Sequence, residues 1–280
     1  MLTNQFAARL VEIAEATSFR PVAMKICSIV SRPQTTIGDI EALLAMDTVL
    51  TARTLQVANS PFFNRGRKTG ALSHALTLIG FDTLRMIVLS AAIYDLYQNP
   101  VEIDRKLWEH SMGVSLAASM LARETGLVGE QDAAAAGLFH DAGKILMRNA
   151  FPEPYAEMIK TVEGTSLSFC ESEARLFGIN HMEAGGILAK KWNLPREYAM
   201  VIGHHHDGDC GPPLHANETA LIKITAAADT IAFYLGMGLK RDIGASEIPG
   251  DEIRISSGRL KDLMQEMQEL YADHVNTLRL

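Results

Sequence analysis

Apolar side chains recur at three- and four-residue spacing almost from end to end of the chain. No stretch alternates over strand length with hairpin turns between. This periodicity predicts an all-α fold of roughly a dozen helices. Local punctuation agrees. Thr36 with Asp39, and Asn180 with Glu183, have the form of capping boxes at helix starts. Gly126 and Gly178 follow helical runs where a left-handed C-cap is wanted, and Pro195 falls near a first turn, where its missing N–H costs nothing. With 48% hydrophobic and 21% charged residues over 280 positions, the chain can bury a sizeable core and is not generally disordered.

A formal charge of -7 argues against general nucleic-acid binding and against docking on anionic membranes, although a small basic pocket remains compatible with it. Cys27, Cys170 and Cys210 stand far apart without a CxxC pair. They build neither a disulfide framework nor a thiolate zinc site, and a reducing cytoplasm is the expected location. Cys170 and Cys210 have no neighbouring base pattern and read as inert. The N-terminus reads as an amphipathic helix rather than a signal peptide, and the apolar stretches 86–94 and 226–235 are too short or too polar to span a bilayer. A composition break at 98–100 suggests a helical part over 1–100 and a histidine-rich helical bundle over 101–280, with 241–257 a long surface loop before a C-terminal helix.

Eight of the nine histidines fall after that break. His110, His140 beside Asp141, His181, the run His204–His205–His206, and Asp229 each lie on or at the end of an Ala- or Gly-rich helical run. Imidazole and carboxylate are ligands for zinc, iron, manganese and related ions, and small neighbours let several helices bring such groups to one point. An adjacent His-Asp pair is weak evidence by itself. Its setting in GLFHDAGK matters more, because a buried Asp141 needs a cation, either a metal or Lys144. Plainer roles compete: His140 as a core histidine bonded to a carbonyl, Lys144 as a surface lysine, His181 as a helix cap. His74, His215 and His274 stand alone and read as structural or exposed, and Trp108 and Trp192 read as core packing.

Five ordered segments carry a resemblance. They are ALLAMDTVLTARTLQVANSPFF, with Asp47, Leu50, Leu55 and the Asn59–Ser60 pair, then LWEHSMGVS, GLFHDAGKILM, FGINHMEAGGILAKKWNLP and VIGHHHD. Over about residues 5 to 235 the chain resembles the HDOD (HD-related output domain) proteins, a signalling branch of the HD superfamily of metal-dependent phosphohydrolases. The resemblance implies an HD-like helical bundle with an N-terminal helical subdomain. It also implies a metal set of His110, His140, Asp141, His181, His205, His206 and Asp229, holding one or two divalent ions (iron, zinc, manganese or nickel) with Asp141 bridging. Asp207 follows where relatives carry an acid, which puts His205 and His206 on the family's pair; a one-residue slip involving His204 stays open. Many members lack these ligands and act as regulatory outputs. Two functions follow: a signal-transduction protein with a retained metal site, or an active phosphohydrolase on a nucleotide or phosphate ester. In the second, Asp141 and Lys144 are catalytic, with Lys144 neutralising phosphoryl oxygens. A third, an iron-based redox or oxygen sensor, has weaker support. HHHDGDCGPP lacks the HHExxDGxGYP signature of the cyclic-di-GMP phosphodiesterase branch, which speaks against that activity. The expected partner is a signalling protein or a small nucleotide or phosphate ligand, with no membrane; a homodimer is compatible.

Overall fold

A computed structural model describes residues 2–16, 21–30, 32–59, 68–97, 101–206, 215–244 and 247–278. The segment 98–100, Ser60, Asp207 and Cys210 lie outside the described residues, as does the side chain of His274. The described residues form an all-α fold without strands. In chain order the helices are α1 Leu2–Ala16, α2 Pro21–Val30, α3 Ile37–Leu44, α4 Thr48–Ala58, α5 Leu72–Tyr94, α6 Glu102–Thr125, α7 Glu130–Phe139, α8 Ala142–Ala150, α9 Pro152–Val162, α10 Phe169–Phe177, α11 His181–Lys191, α12 Arg196–His204, α13 Ala216–Leu235 and α14 Ser257–Leu278. A 3-10 turn at Asp251–Ile253 interrupts the stretch read as a loop.

The helix ends form where the side chains provide partners for free backbone groups. Thr36 and Asn180 close their capping boxes with Asp39 and Glu183. Gly126 and Gly178 end α6 and α10 at φ of 63° and 74°, in the left-handed region that suits glycine. Pro195 stands at the N-cap of α12.

Two compact units emerge. One comprises Phe19–Asp95 with Ala272–Leu280. Within it α5 packs against α2, α3 and α4 around fully buried Ile40, Leu44, Leu50 and Leu84. Leu72–Tyr94 is the one helix among the described residues long and apolar enough to cross a membrane; more than half of its most apolar stretch is buried, and Gly80, at φ 74°, breaks its helical path. The helix runs longer than its apolar stretch suggested, but its buried face is that of a core helix. Residues of the N-terminal motif have local structural work here. Asp47 caps α4 by accepting from the N–H groups of Val49 and Leu50, and Asn59 exchanges two 2.8 Å hydrogen bonds with the backbone of Thr69.

The other unit comprises Met1–Ser18 and Leu96–Tyr271. Helix α1 joins it because Phe6 meets Phe151 and Phe177 edge-on, with ring centroids 5.0 and 5.9 Å away, and because Lys191 pairs with Glu15 at 2.7 Å. At its centre every residue of α8 is buried. Arg148 on α8 pairs with buried Asp104 on α6 at 2.8 Å, so neither charge is left alone in the interior. Close helix approach depends on small residues. A Cβ on Gly137 would stand 2.8 Å from the Val114 carbonyl oxygen, and one on Gly143 would overlap the carbonyl oxygen of His181 at 1.8 Å. Trp108 and Trp192 are buried, as core residues should be, and His74 and His215 are exposed.

Candidate metal centre

The α7–α8 junction delivers the first pair of side chains. His140 follows the last turn of α7 and Asp141 occupies the N-cap position of α8, so neither is lost within a regular helix. Around them gather His110 from mid-α6, His181 from the first residue of α11, His205 and His206 from the end of α12, and Asp229 from mid-α13. Apart from His206, whose side chain is 28% exposed, all are buried. His204 is half-buried and belongs to none of the metal-competent groups among the described residues. The geometry therefore turns His205 and His206 toward the carboxylates.

Asp141 divides the cluster. Its Oδ2 faces His140 Nε2 at 3.2 Å and His110 Nε2 at 3.8 Å; its Oδ1 faces His181 Nε2 at 3.3 Å and His205 Nε2 at 3.6 Å. Asp229 completes the first side, with Oδ1 2.9 Å from His110 Nε2 and 3.5 Å from His140 Nε2, and offers Oδ2 to His206 Nδ1 at 3.8 Å. Among the described residues three groups hold ligand atoms close enough for one ion: His110–His140–Asp141 and Asp141–His181–His205, which share one carboxylate, and Cys170–His181–His206.

The far side of each inner ring is also occupied. Nδ1 of His110 meets the Met237 carbonyl at 3.2 Å, Nδ1 of His140 the Gly137 carbonyl at 2.7 Å, and Nδ1 of His205 the Val201 carbonyl at 3.0 Å. Nδ1 of His181 meets Glu173 Oε2 at 2.6 Å. When each Nδ1 carries the proton and donates it outward, the Nε2 lone pairs turn inward, which is how metal-binding imidazoles are normally held. The carbonyl bond foreseen as a plain alternative for His140 is present, but it lies on Nδ1 and leaves Nε2 to the centre. His140 Nε2 and Asp141 Oδ1 are buried without a hydrogen-bond partner, a costly state that cations on the two sides of the Asp141 carboxylate would relieve. The donor set thus fits a divalent ion by ligand type, by ring orientation and by its unpartnered atoms.

Electrostatics among these side chains follow the same geometry. Burial opposes charge on His140 and on His181, yet Asp141 and Asp229 hold His140 at about 9, and Glu173 with Asp141 holds His181 at about 10. Burial and the neighbouring His140 push His205 down to about 4. Burial alone would raise Asp141, but His140 and Lys144 more than offset it and hold the carboxyl well below its ordinary range. Lys144 is no surface residue. It is 1% exposed, donates to Asp141 Oδ2 at 2.5 Å, and lies 4.5 Å from the centroid of Phe169.

A model of the HDOD domain matches residues 17–208. The chain belongs to the HDOD family. Its fold is that of an HDOD domain protein of unknown function from Geobacter sulfurreducens, with a TM-score of 0.77, 25% identity, and coverage of 96% of this chain and 98% of that one. A second structure, from Shewanella amazonensis SB2B and provisionally described as a phosphohydrolase, shares the fold with a TM-score of 0.66 at 20% identity, over 97% of this chain and 95% of the other. An uncharacterized protein of Treponema pallidum (strain Nichols) is 24% identical over 209 residues, 73% of this chain; the chain spans 40% of that relative's length.

Some participants of this HDOD centre left no sequence signal. Glu173 is one of two acids in α10, yet it is fully buried and holds both the ring and the backbone N–H of His181. Tyr155 donates to its other oxygen at 2.5 Å, and burial together with Glu173 holds that phenol well above its ordinary range, keeping it a donor. Cys170, read as inert, lies with Sγ 3.9 Å from His181 Nδ1. With His181 and His206 the thiol forms a group that could hold an ion at the rim, although His181 Nδ1 is already engaged by Glu173. Glu173→Gln, which can offer an amide hydrogen in place of an acceptor, should weaken metal binding by about ten- to a hundredfold while leaving the helical circular dichroism intact. Competition with a chelator measures it, and unchanged affinity would remove Glu173 from the centre.

Proposed function

We propose that the protein is an HDOD regulatory protein that retains a divalent-metal centre of the HD phosphohydrolase kind, with its output tied to what that centre binds. The observation that supports this most is the Asp141 carboxylate shared between two groups of inward-turned histidines, each ring fixed from behind. His110, His140, Asp141 and Asp229 would hold one ion; His181, His205 and Asp141, with His206 at the rim, a second. Divalent ions in such a site supply positive charge to a phosphoryl group and lower the pKa of water toward neutrality. The chain's own residues would do the rest. Asp141 and Asp229 keep their charge at neutral pH, and Phe169 and Phe233 keep bulk water from the Lys144 ammonium. Lys144 favours a second reading, an active phosphohydrolase, because a buried ammonium beside the centre suits the growing charge of a phosphoryl transition state.

Elemental analysis of protein purified without tag or chelator tests the first reading. We expect about one or two equivalents of iron, zinc, manganese or nickel per chain. A protein that stays empty after reconstitution overturns it. Bis-p-nitrophenyl phosphate then separates the two readings: hydrolysis by the loaded protein marks an enzyme, and tight metal without turnover marks a binding output.

A further inference from the structure

A cavity of about 340 Å³ opens beside the metal centre, in the size range of small-molecule sites. His206 reaches its wall from the centre. Ser168 and Asn180, the N-caps of α10 and α11, line it too, with the first N–H groups of both helices already engaged by the caps and by Glu183 and Glu173. Arg241 makes a further part of the wall, beyond the end of α13. Its guanidinium carbon lies 5.5 Å from the Phe233 centroid and one Nη donates to the Ser166 carbonyl at 3.2 Å. Its Nε is buried without a hydrogen-bond partner, and no carboxylate among the described residues pairs with it. The side chain as a whole is half-buried and lines the cavity, so that, with no carboxylate among the described residues to pair with it, its outer nitrogens have donors to offer an anion there.

The guanidinium is not part of the metal shell. Phe233 packs against the His110 ring at 4.3 Å and also carries Arg241, which puts the cation about one aromatic ring away from the centre. We propose that the cavity takes a small organic phosphate carrying a second anionic group, and that Arg241 grips that second group while the phosphate faces the metal centre. The phosphate half of this assignment rests on the function proposed above; the Arg241 half does not. Volume and charge point to a small molecule rather than a nucleic-acid strand, since one arginine on a chain of net charge -7 gives no track for a phosphate backbone.

Calorimetry on the full chain tests this with a matched pair of probes, 4-carboxyphenyl phosphate and phenyl phosphate, and with a short single-stranded RNA, metal content being measured on each sample. The native protein should bind the carboxylated probe about ten- to a hundredfold more tightly than its parent. Arg241→Met should erase that preference and leave both metal content and phenyl phosphate affinity unchanged. Arg241→Lys, which keeps the charge but not the fork, should keep part of the preference. The proposal is overturned if Arg241→Met retains the preference, if it weakens both probes equally, or if the RNA binds tightly and the small phosphates do not. A metal-free protein that still prefers the carboxylated probe through Arg241 would sink the metal reading and uphold the cavity; a metal-replete protein indifferent to Arg241 would do the reverse.

Discussion

Asp141→Asn is expected to leave the protein without bound metal, lowering affinity by more than about a hundredfold, because two of the ligand groups draw on this one carboxylate. The change removes the negative charge shared by both sides and replaces one acceptor oxygen with an amide donor. It also strands the Lys144 ammonium, which is 1% exposed and 2.5 Å from Asp141. An unpaired buried charge costs about 3–5 kcal/mol, so Asp141→Asn should unfold at markedly lower temperature in metal-free buffer. Adding Lys144→Met separates the two effects. The double variant has no buried charge to strand and should recover most of the stability while remaining unable to hold metal. Elemental analysis and thermal unfolding, read on the same samples, check both statements. Full metal content in Asp141→Asn would mean that Asp141 is not the bridge.

Gly143→Ala is expected to be strongly disruptive for the addition of a single methyl group. The new carbon would stand 1.8 Å from the His181 carbonyl oxygen and 2.6 Å from the Gly185 amide nitrogen. Both are backbone atoms of α11 and cannot rotate away, so α8 and α11 must separate. Overpacking of this kind should cost about 3 kcal/mol or more. In a domain of this size that is a fall of roughly 6–12 °C in Tm. Because α11 carries His181, metal affinity should fall with stability. Gly186→Ala, on the same helix, has nothing within 4 Å of the added carbon and should be neutral or stabilising by up to about 1 kcal/mol. Scanning calorimetry of the two variants decides. Equal melting temperatures would mean that α8 and α11 do not pack this closely.

The residue types of the centre were legible in the sequence because each stands inside a distinctive local context. GLFHDAGK ends an apolar run in His-Asp, Asp229 sits alone in an alanine-rich helix, and the HDOD segments follow one another in family order. The partners behind the rings were not legible. The Met237, Gly137 and Val201 carbonyls are backbone groups that any residue could supply. Glu173 is one charge in an amphipathic helix, and only the packing of α10 on α9 and α11 turns it inward. Lys144 kept a surface alternative, since lysines are mostly exposed and are buried only when paired, as Asp141 pairs it here.

By itself the sequence determined an all-α chain, the boundaries set by Thr36, Asn180, Gly126 and Gly178, the family, and the list of candidate ligands. These follow from side-chain periodicity and from short-range caps, which act within a turn or two of helix. The tertiary structure decided which atoms meet: the two oxygens of Asp141 facing different histidine pairs, His205 and His206 rather than His204 turning toward the carboxylates, and α1 packing with the unit that holds the centre through Phe6. Those contacts join residues far apart in the chain, His110 with Asp229 and Phe6 with Phe151 and Phe177. They depend on helices brought together at Gly137 and Gly143, where a single added carbon would hold them apart.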